Sequence, residues 1–254
     1  MIAMNAPSRS LLLLALSSVV AAAACGRVPG QFEIVNDQVP LTAGGGCAIP
    51  TDDGVYSGQG TMDLQLVKPG AEAGFLFFPL LKNNLPPSGS GPDVNQIFLS
   101  SFAVDISVAS APPQTAALFA ALESGSSADR ALLHFKTLWS GSIGSGGKVS
   151  AFVPAFPVEL AQRVNALQEV GVSPSLWVNL KVRAFGSTTT QNIESDPFNY
   201  PLAVCAGCLI ANVQPCPYTV APRNTGNPCN IAQDYPVDCC LSGSDLVCPP
   251  VVSK

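Results

Sequence analysis

The chain has 254 residues, a net charge of −5 and 11% charged residues, together with 22 glycines and 23 prolines. Its 47% hydrophobic content excludes a disordered chain, which would be poor in apolar residues and rich in charge. The sequence also contains no basic run interleaved with aromatic residues, so no nucleic-acid partner is expected.

The first 24 residues have the pattern of a secretory signal peptide. Residues 1–10 carry one basic side chain, Arg9, and residues 11–24 are uncharged and mostly apolar. The apolar stretch is shorter than the roughly 20 residues that a membrane-spanning helix needs. A buried N-terminal helix, the other interpretation, would not explain the alanines at positions 22–24 directly before Cys25.

Ala22, Ala23 and Ala24 followed by Cys25 resemble the lipobox of bacterial lipoproteins, with Ala22 in place of the usual leucine. The resemblance implies diacylglycerol on the Cys25 sulfur, cleavage after Ala24 and acylation of the new N-terminus. Gly26 follows the cysteine where an aspartate would imply inner-membrane retention, so a lipid anchor in the outer membrane is expected. The alternative is ordinary signal cleavage after an A-x-A site, which would release a soluble periplasmic or secreted protein.

Residues 25–54 are rich in turn-forming residues and are predicted to be a lipidated tether, with a short strand over 31–35. Apolar and polar residues then alternate with the period of a half-buried strand. Seven strands are predicted, over residues 61–66, 74–81, 102–108, 131–143, 148–153, 176–186 and 190–204. The glycine-rich turn at 144–147 is predicted to close a hairpin between the fourth and fifth of these strands.

Two helices are predicted, over residues 114–124 and 157–167. Alternating strands with little helix indicate a mainly β fold, an antiparallel two-sheet sandwich over residues 55–204 that is taken to be immunoglobulin-like. Residues 205–254 hold seven cysteines and few large aliphatic residues, so this segment is predicted to depend on disulfides for its stability.

Nine cysteines leave an even number once Cys25 is lipidated, and the oxidising compartment favours disulfides among the rest. The eight cysteines are Cys47, Cys205, Cys208, Cys216, Cys229, Cys239, Cys240 and Cys248. Parity requires Cys47 to pair with the C-terminal segment, and Cys205 or Cys208 is the expected partner. Cys239 and Cys240 are expected to bond to different cysteines, because a ring closed by adjacent cysteines is strained.

No motif indicates a catalytic, cofactor or metal site. Residues 144–150 lack the serine or threonine of a phosphate-binding loop, and the single histidine, His134, is interpreted as a polar-face residue of a strand. The C-x-x-C at 205–208 has no second pair to complete a zinc site. The carboxylates considered for acid–base chemistry, interpreted instead as solvated loop charges, are Asp52, Asp53, Glu194, Asp196, Asp234 and Asp238.

The stretches "GTMDLQL" and "FFPLLKNNL" and the cysteine-rich tail resemble lipoproteins of deltaproteobacterial, myxobacterial type, which carry no assigned activity. We therefore expect a non-catalytic lipoprotein of the cell envelope, without a cofactor, that serves as a binding or structural module. Its expected partners are the membrane, through the lipid anchor, and an envelope protein. The alternatives are an accessory subunit of an envelope or secretion complex and a secreted hydrolase that uses carboxylates.

Overall fold

The computed structural model of the protein describes residues 30–43, 46–52, 54–89, 91–218 and 221–249. The predicted signal peptide and the predicted lipidation site, Cys25, lie outside these residues, as does Asp53. Among the described residues, no helix combines the length and the apolar character needed to cross a membrane.

The described part of the chain forms seventeen strands, most of them short. They are β1 (Phe32–Gln38), β2 (Leu41–Ala43), β3 (Gly46–Ala48), β4 (Tyr56–Ser57), β5 (Gly60–Asp63), β6 (Phe75–Phe77), β7 (Pro79–Asn83), β8 (Ile97–Ser110), β9 (His134–Ile143), β10 (Lys148–Ser150), β11 (Val153–Phe156), β12 (Leu176–Ser187), β13 (Asn192–Glu194), β14 (Phe198–Cys205), β15 (Ile210–Pro215), β16 (Val237–Ser242) and β17 (Asp245–Val247). The same residues contain three helices, α1 (Pro113–Ser124), α2 (Ser127–Arg130) and α3 (Val158–Ala166).

Both predicted helices are present, as α1 and α3. Helix α3 has Glu159 in its first turn, where the partial positive charge of the helix N-terminus favours an acidic side chain. It buries Leu160 and Val164, one turn apart, against the main core. Backbone hydrogen bonds of the helical type continue to Gln168, whose positive φ of 54° marks the end of the turn.

Two sheets make up most of the fold. The larger has the order β5-β14-β12-β8-β9, with β13 also paired to β12, and all of its pairs are antiparallel except the parallel pair of β5 and β14. The smaller has the order β10-β7-β1-β4 and is antiparallel throughout. The predicted mainly β fold with a sandwich-like arrangement of antiparallel sheets is confirmed.

A single large apolar cluster lies between the sheets. Strand β12 supplies it with Leu176, Val178, Leu180 and Val182, which alternate with more exposed residues as the sequence pattern predicts. Tyr200 of β14 is part of this cluster, and the centre of its ring lies 5.2 Å from that of Phe77 and 6.0 Å from that of Phe75.

The turn at 144–147 does not close a hairpin, contrary to the prediction. Strand β9 before it belongs to the larger sheet, whereas β10 after it pairs with β7 of the smaller sheet. The glycines therefore carry the chain from one sheet to the other. Gly146 has a φ of +70°, a backbone conformation that residues other than glycine rarely adopt.

The predicted tether is wrong for the described residues Phe32–Gln38, whereas the short strand predicted within it, over 31–35, is present as part of β1. Strand β1 lies between β4 and β7 in the smaller sheet, and its Phe32 and Ile34 are buried in the main core. A β-bulge interrupts its register with β7 between Ile34 and Asn36. Such a bulge reverses the alternation of side chains along a strand, and Asp37 is consequently buried, with 3% of its surface exposed.

Four disulfides connect the eight cysteines that follow residue 25, and every one has at least one cysteine in the C-terminal segment. The pairs are Cys47–Cys229, Cys205–Cys208, Cys216–Cys240 and Cys239–Cys248. Cys47 does reach the C-terminal segment and the adjacent cysteines do have different partners. The expected partner of Cys47 is wrong, because the bond goes to Cys229 rather than to Cys205 or Cys208.

Candidate functional site

A pocket of about 230 Å³ lies where the two ends of the described chain meet. Its lining comes from residues 37–40 at the end of β1, from β4, from the start of β5 and from Asp234 and Tyr235 in the C-terminal segment. We call it the acidic pocket, because its ionisable groups with pKa values near or below neutrality are the carboxyls of Asp37 and Asp234.

Backbone contacts hold the two sides of the acidic pocket together. The Asp234 N–H donates to the Thr61 carbonyl at 3.0 Å, and the Thr61 N–H donates to Asp234 Oδ1 at 2.9 Å. The side-chain amide of Gln233 pairs with both backbone groups of Leu76, at 2.8 and 3.0 Å. The Cys47–Cys229 disulfide ties the chain just before this turn to the N-terminal part of the chain.

Asp37 has few hydrogen bonds for a buried carboxyl. Its Oδ1 accepts the Phe78 N–H at 2.7 Å. Burial raises the pKa of Asp37 to about 7, and the negative charge of Asp234 adds to that effect, against the opposing influence of the Tyr200 hydroxyl and the Phe78 N–H. Near neutral pH the Asp37 side chain therefore exchanges between its neutral and ionised forms.

Asp234 is a second carboxyl with a raised pKa. Burial raises the pKa of Asp234 to about 6, although the Thr61 N–H and the Gln233 amide favour its ionised form. Asp234 adopts a φ of 63°, the left-handed conformation that aspartate tolerates better than most residues. The acidic pocket thus contains two carboxyls whose pKa values burial raises.

Two further polar atoms at this site are buried without a well-formed hydrogen bond to any described residue: Gln38 Oε1 and the Tyr200 hydroxyl oxygen. Gln38 lines the acidic pocket and is 1% exposed. Tyr200 stands behind it, close enough to Asp37 for its hydroxyl to influence the Asp37 carboxyl, and burial and the Asp37 charge raise the pKa of the Tyr200 phenol. A buried polar atom without a partner is costly, so a ligand or water that reached these atoms would gain free energy.

The remaining wall of the acidic pocket is aromatic and neutral. Tyr56 and Tyr235 line it together with Val39, Pro40 and uncharged polar residues, and none of the lining residues is a lysine, arginine or histidine. Tyr56 is 62% exposed and lies at the rim. The pocket can therefore accept hydrogen bonds from a ligand and place aromatic side chains beside it, but its lining residues supply no positive charge.

His134 lies on the exposed side of β9, as the sequence interpretation placed it, and outside the acidic pocket. Its Nδ1 lies 2.9 Å from Asp105 Oδ1 and its Nε2 lies 2.9 Å from Glu123 Oε2. Hydrogen bonds to these two carboxylates raise the pKa of His134. Both ring nitrogens are thus engaged in a surface contact between β8, β9 and α1.

Asp63, Cys205 and Cys208 form the group of potential metal ligands found among the described residues. The two sulfurs are joined in a disulfide, so they are not available as thiolate ligands. The Asp63 carboxylate accepts the backbone N–H groups of Gln65, Gly207 and Leu209, at 2.7 to 3.0 Å. Asp63 therefore has a structural role in holding the loop of the C-x-x-C disulfide.

The carboxylates interpreted as solvated loop charges differ in their actual environments. Asp52 is exposed, as expected, whereas the interpretation is wrong for Asp234 and for Asp238, which is 2% exposed. Hydrogen bonds from the Asn224 side chain, then from Asn212 and two backbone N–H groups, lower the pKa of Asp238 to about 2. Glu194 Oε1 lies 3.5 Å from Arg183 on the larger sheet.

Asp37, Gln38 and Tyr200 were not identified from the sequence. Regular alternation from Phe32 and Ile34 would direct Asp37 to solvent, and the bulge that buries it has no clear sequence signal. The buried Tyr200 stands in a run of strand residues where an aromatic side chain is unremarkable. No protein-family model and no curated protein sequence matches the chain.

Proposed function

We propose that the protein is an exported envelope lipoprotein, anchored by lipid at Cys25, that acts as a non-catalytic binding module through the acidic pocket. The observation that carries the proposal is that the pocket joins two carboxyls from opposite ends of the described chain, with unsatisfied polar atoms beside them. Folding stability alone does not favour that arrangement, since burying two like charges with few hydrogen bonds is costly. Costly polar groups gathered in a concave site are typical of ligand recognition.

Export is supported by two features of different kinds. The sequence of residues 22–25 resembles a lipobox. The eight other cysteines form four disulfides, a content typical of proteins in oxidising compartments and unusual in a reducing cytosol.

Replacing the lipidated cysteine tests the anchor. We expect Cys25→Ser to move the protein from the membrane fraction to the soluble or unprocessed fraction, because a serine cannot form the thioether. Intact-mass analysis of the wild type should show acyl chains on an N-terminal Cys25. An N-terminus at Cys25 without added acyl mass would refute the lipid anchor.

Filling the pocket tests the binding role. Ser57→Trp places a large side chain on β4 at the lining of the acidic pocket, and Ser140→Trp, at an exposed position of β9, is the matched control. Ligand-observed nuclear magnetic resonance with a mixed library of small polar molecules should give binders that Ser57→Trp loses and Ser140→Trp keeps. Binders that are insensitive to Ser57→Trp would count against the pocket.

A carboxylate-based hydrolase is the second candidate, and the observation that favours it is the presence in one pocket of two carboxyls, Asp37 and Asp234, with raised pKa values. Carboxyls whose pKa values lie near neutrality can hold and release a proton at physiological pH, as a general acid and a general base must. Turnover of chromogenic glycosides or esters that disappears in Asp37→Asn and Asp234→Asn would establish this function in place of simple binding.

A further inference from the structure

We propose that the acidic pocket binds a small organic cation, a ligand whose protonated amine lies between the carboxyls of Asp37 and Asp234. This inference rests on the proposed binding function and adds the chemical class of the ligand. The geometric basis is a pocket with two carboxyls, an unpartnered amide oxygen, two tyrosine rings and no basic side chain among its lining residues.

Charge is the first argument. In the ionised state, two carboxylates face the pocket, and no lysine, arginine or histidine in its lining compensates them. A ligand cation would supply the missing positive charge in an environment where water screens charges poorly. An anionic ligand would add to the repulsion that already raises the pKa of Asp37.

The available acceptors distinguish an ammonium group from a metal ion. Asp37 Oδ1 already accepts a backbone N–H, and both oxygens of Asp234 accept hydrogen bonds, from Thr61 and Gln233. A calcium ion takes six to eight oxygen ligands and would have to displace these donors. An ammonium group has three N–H donors and no fixed coordination number, and each carboxylate oxygen has two lone pairs, so the two carboxylates can accept from it with the unpartnered Gln38 Oε1 beside them.

The aromatic rings and the size of the pocket point in the same direction. Tyr56 and Tyr235 line the pocket, and aromatic rings attract organic cations but contribute little to binding a metal ion. The volume of about 230 Å³ is below the range of about 300–1,000 Å³ typical of pockets for drug-sized ligands. A short aliphatic amine or diamine fits these limits.

Binding of a cation should be coupled to proton release. The titratable groups at the site are Asp37 and Asp234, with the phenols of Tyr56, Tyr235 and Tyr200 around them. A bound ammonium favours both ionised carboxylates, so it should release about half a proton per ligand at pH 7 and almost none at pH 9. Affinity for an aliphatic amine, whose own pKa is about 10, should therefore rise between pH 5 and pH 8.

The decisive experiment compares isosteric probes on the full-length, disulfide-bonded protein in detergent. Isothermal titration calorimetry with putrescine, 1,4-butanediol, calcium chloride and zinc chloride, in buffers of different ionisation enthalpy, measures both affinity and proton release. We expect putrescine to bind with proton release near pH 7 and the diol to bind at least about tenfold more weakly, since hydrogen bonds to charged groups are the stronger ones.

Variants test the assigned residues. Asp37→Asn and Asp234→Asn should each lower the affinity for putrescine by about tenfold to hundredfold, as expected for the loss of a charge-assisted contact. Asp245→Asn, at an exposed position of β17, is the matched control and should leave the affinity unchanged. Circular dichroism of each variant establishes that the fold is retained.

The outcomes separate this inference from the proposed function. Equal binding of the diol, or binding of a metal ion without binding of putrescine, would refute the ammonium ligand and leave the pocket as a binding site. Putrescine binding that survives both asparagine variants would also refute it. If Ser57→Trp abolishes the binding of library molecules and none of those molecules is an amine, the ammonium ligand is likewise refuted. If no library molecule binds, the result opposes the binding function itself.

Discussion

The body of the protein, residues 31–204, and its C-terminal segment, residues 205–249, are stabilised by different means. The body buries one large apolar cluster between its sheets, whereas the cluster in the segment has five buried members, and one of those is Leu66 from the body. The segment compensates with disulfides and with a buried, well hydrogen-bonded carboxylate, Asp238. Cross-links replace apolar burial where large aliphatic residues are scarce.

The same comparison explains why the pocket lies where the two regions meet. Asp63 and Asp238 are buried carboxylates with three or more donors each, and both hold backbone in place. Asp37 and Asp234 have fewer backbone N–H donors, one each, and they are the pair that faces the acidic pocket. Carboxylates with many donors within the protein have structural roles, whereas carboxylates with fewer donors keep acceptor sites for a ligand.

The largest expected effect comes from separating the two regions at the Cys47–Cys229 disulfide. This bond spans 182 residues, and loop-entropy estimates for such a span approach 5 kcal/mol. We expect Cys47→Ser/Cys229→Ser to lower the free energy of unfolding by about 3–5 kcal/mol in guanidinium titrations. The pocket ligand should bind more weakly as well, because Asp234 would be held less firmly.

The matched control is the double variant Cys239→Ser/Cys248→Ser, which removes a disulfide that closes a short loop within the segment. Cys239 and Cys248 are nine residues apart, and the same estimate gives about 2–3 kcal/mol for their bond. Equal losses in the two double variants would show that the long bond does not clamp the segment to the body.

The next effect concerns the body and follows from Asp37. Its pKa is about 7 when folded and near 3.8 when unfolded, so the folded state binds more protons between these values. Stability is therefore lost as pH rises through 7, and Asp37→Asn, which cannot ionise, should be more stable than the wild type by about 2–4 kcal/mol at pH 8. At pH 4 the difference should nearly vanish; a variant less stable than the wild type at pH 8 would contradict the raised pKa.

The two regions also differ in how well the sequence predicts them. In the body, regular alternation along β12 and helical spacing in α3 locate the elements within one or two residues, because apolar burial follows a simple period. The same rule fails at β1, since one bulged residue reverses its faces and buries Asp37.

For the C-terminal segment, the number of cysteines predicts that Cys47 forms a disulfide with the segment. The strain of a ring closed by adjacent cysteines predicts that Cys239 and Cys240 have different partners. Neither predicts Cys229 as the partner of Cys47, because connectivity depends on which loops pack together. The candidate site could not be predicted for the same reason. The sequence identifies Asp234 as a carboxylate, but its position near Asp37 depends on the contact between Asp234 and Thr61 of β5.

A smaller effect, of opposite pH dependence, is expected in the segment. Asp238 has a pKa of about 2, held down by Asn224, Asn212 and two backbone N–H groups. Its stabilising contribution is present above the unfolded pKa and is lost as pH falls through 2. Asp238→Asn turns an N–H group toward donors and should cost about 1–3 kcal/mol at pH 7 but little at pH 2, measured by urea titration. A loss of stability that did not depend on pH would show that ionisation of Asp238 does not stabilise the segment.

The smallest effect is expected on the surface of the body, at His134. Its pKa is raised by hydrogen bonds to Asp105 and Glu123, so its contribution to stability is present below the unfolded pKa of about 6.5 and is lost as pH rises through the folded value. Because the His134 side chain is 41% exposed, solvent screening limits the contribution to that of a surface ion pair. We expect His134→Gln to cost less than about 1 kcal/mol at pH 5.5 and almost nothing at pH 9, by thermal unfolding.

His134 lies outside the acidic pocket, so His134→Gln should also leave putrescine affinity and any hydrolytic activity within a few-fold of the wild type. A hundredfold loss of either, with the circular dichroism spectrum unchanged, would show that His134 takes part in function. Such a result would move the functional site from the pocket between body and segment to the larger sheet, where Asp105 and Glu123 contact the histidine and Arg183 lies 3.6 Å from Asp105.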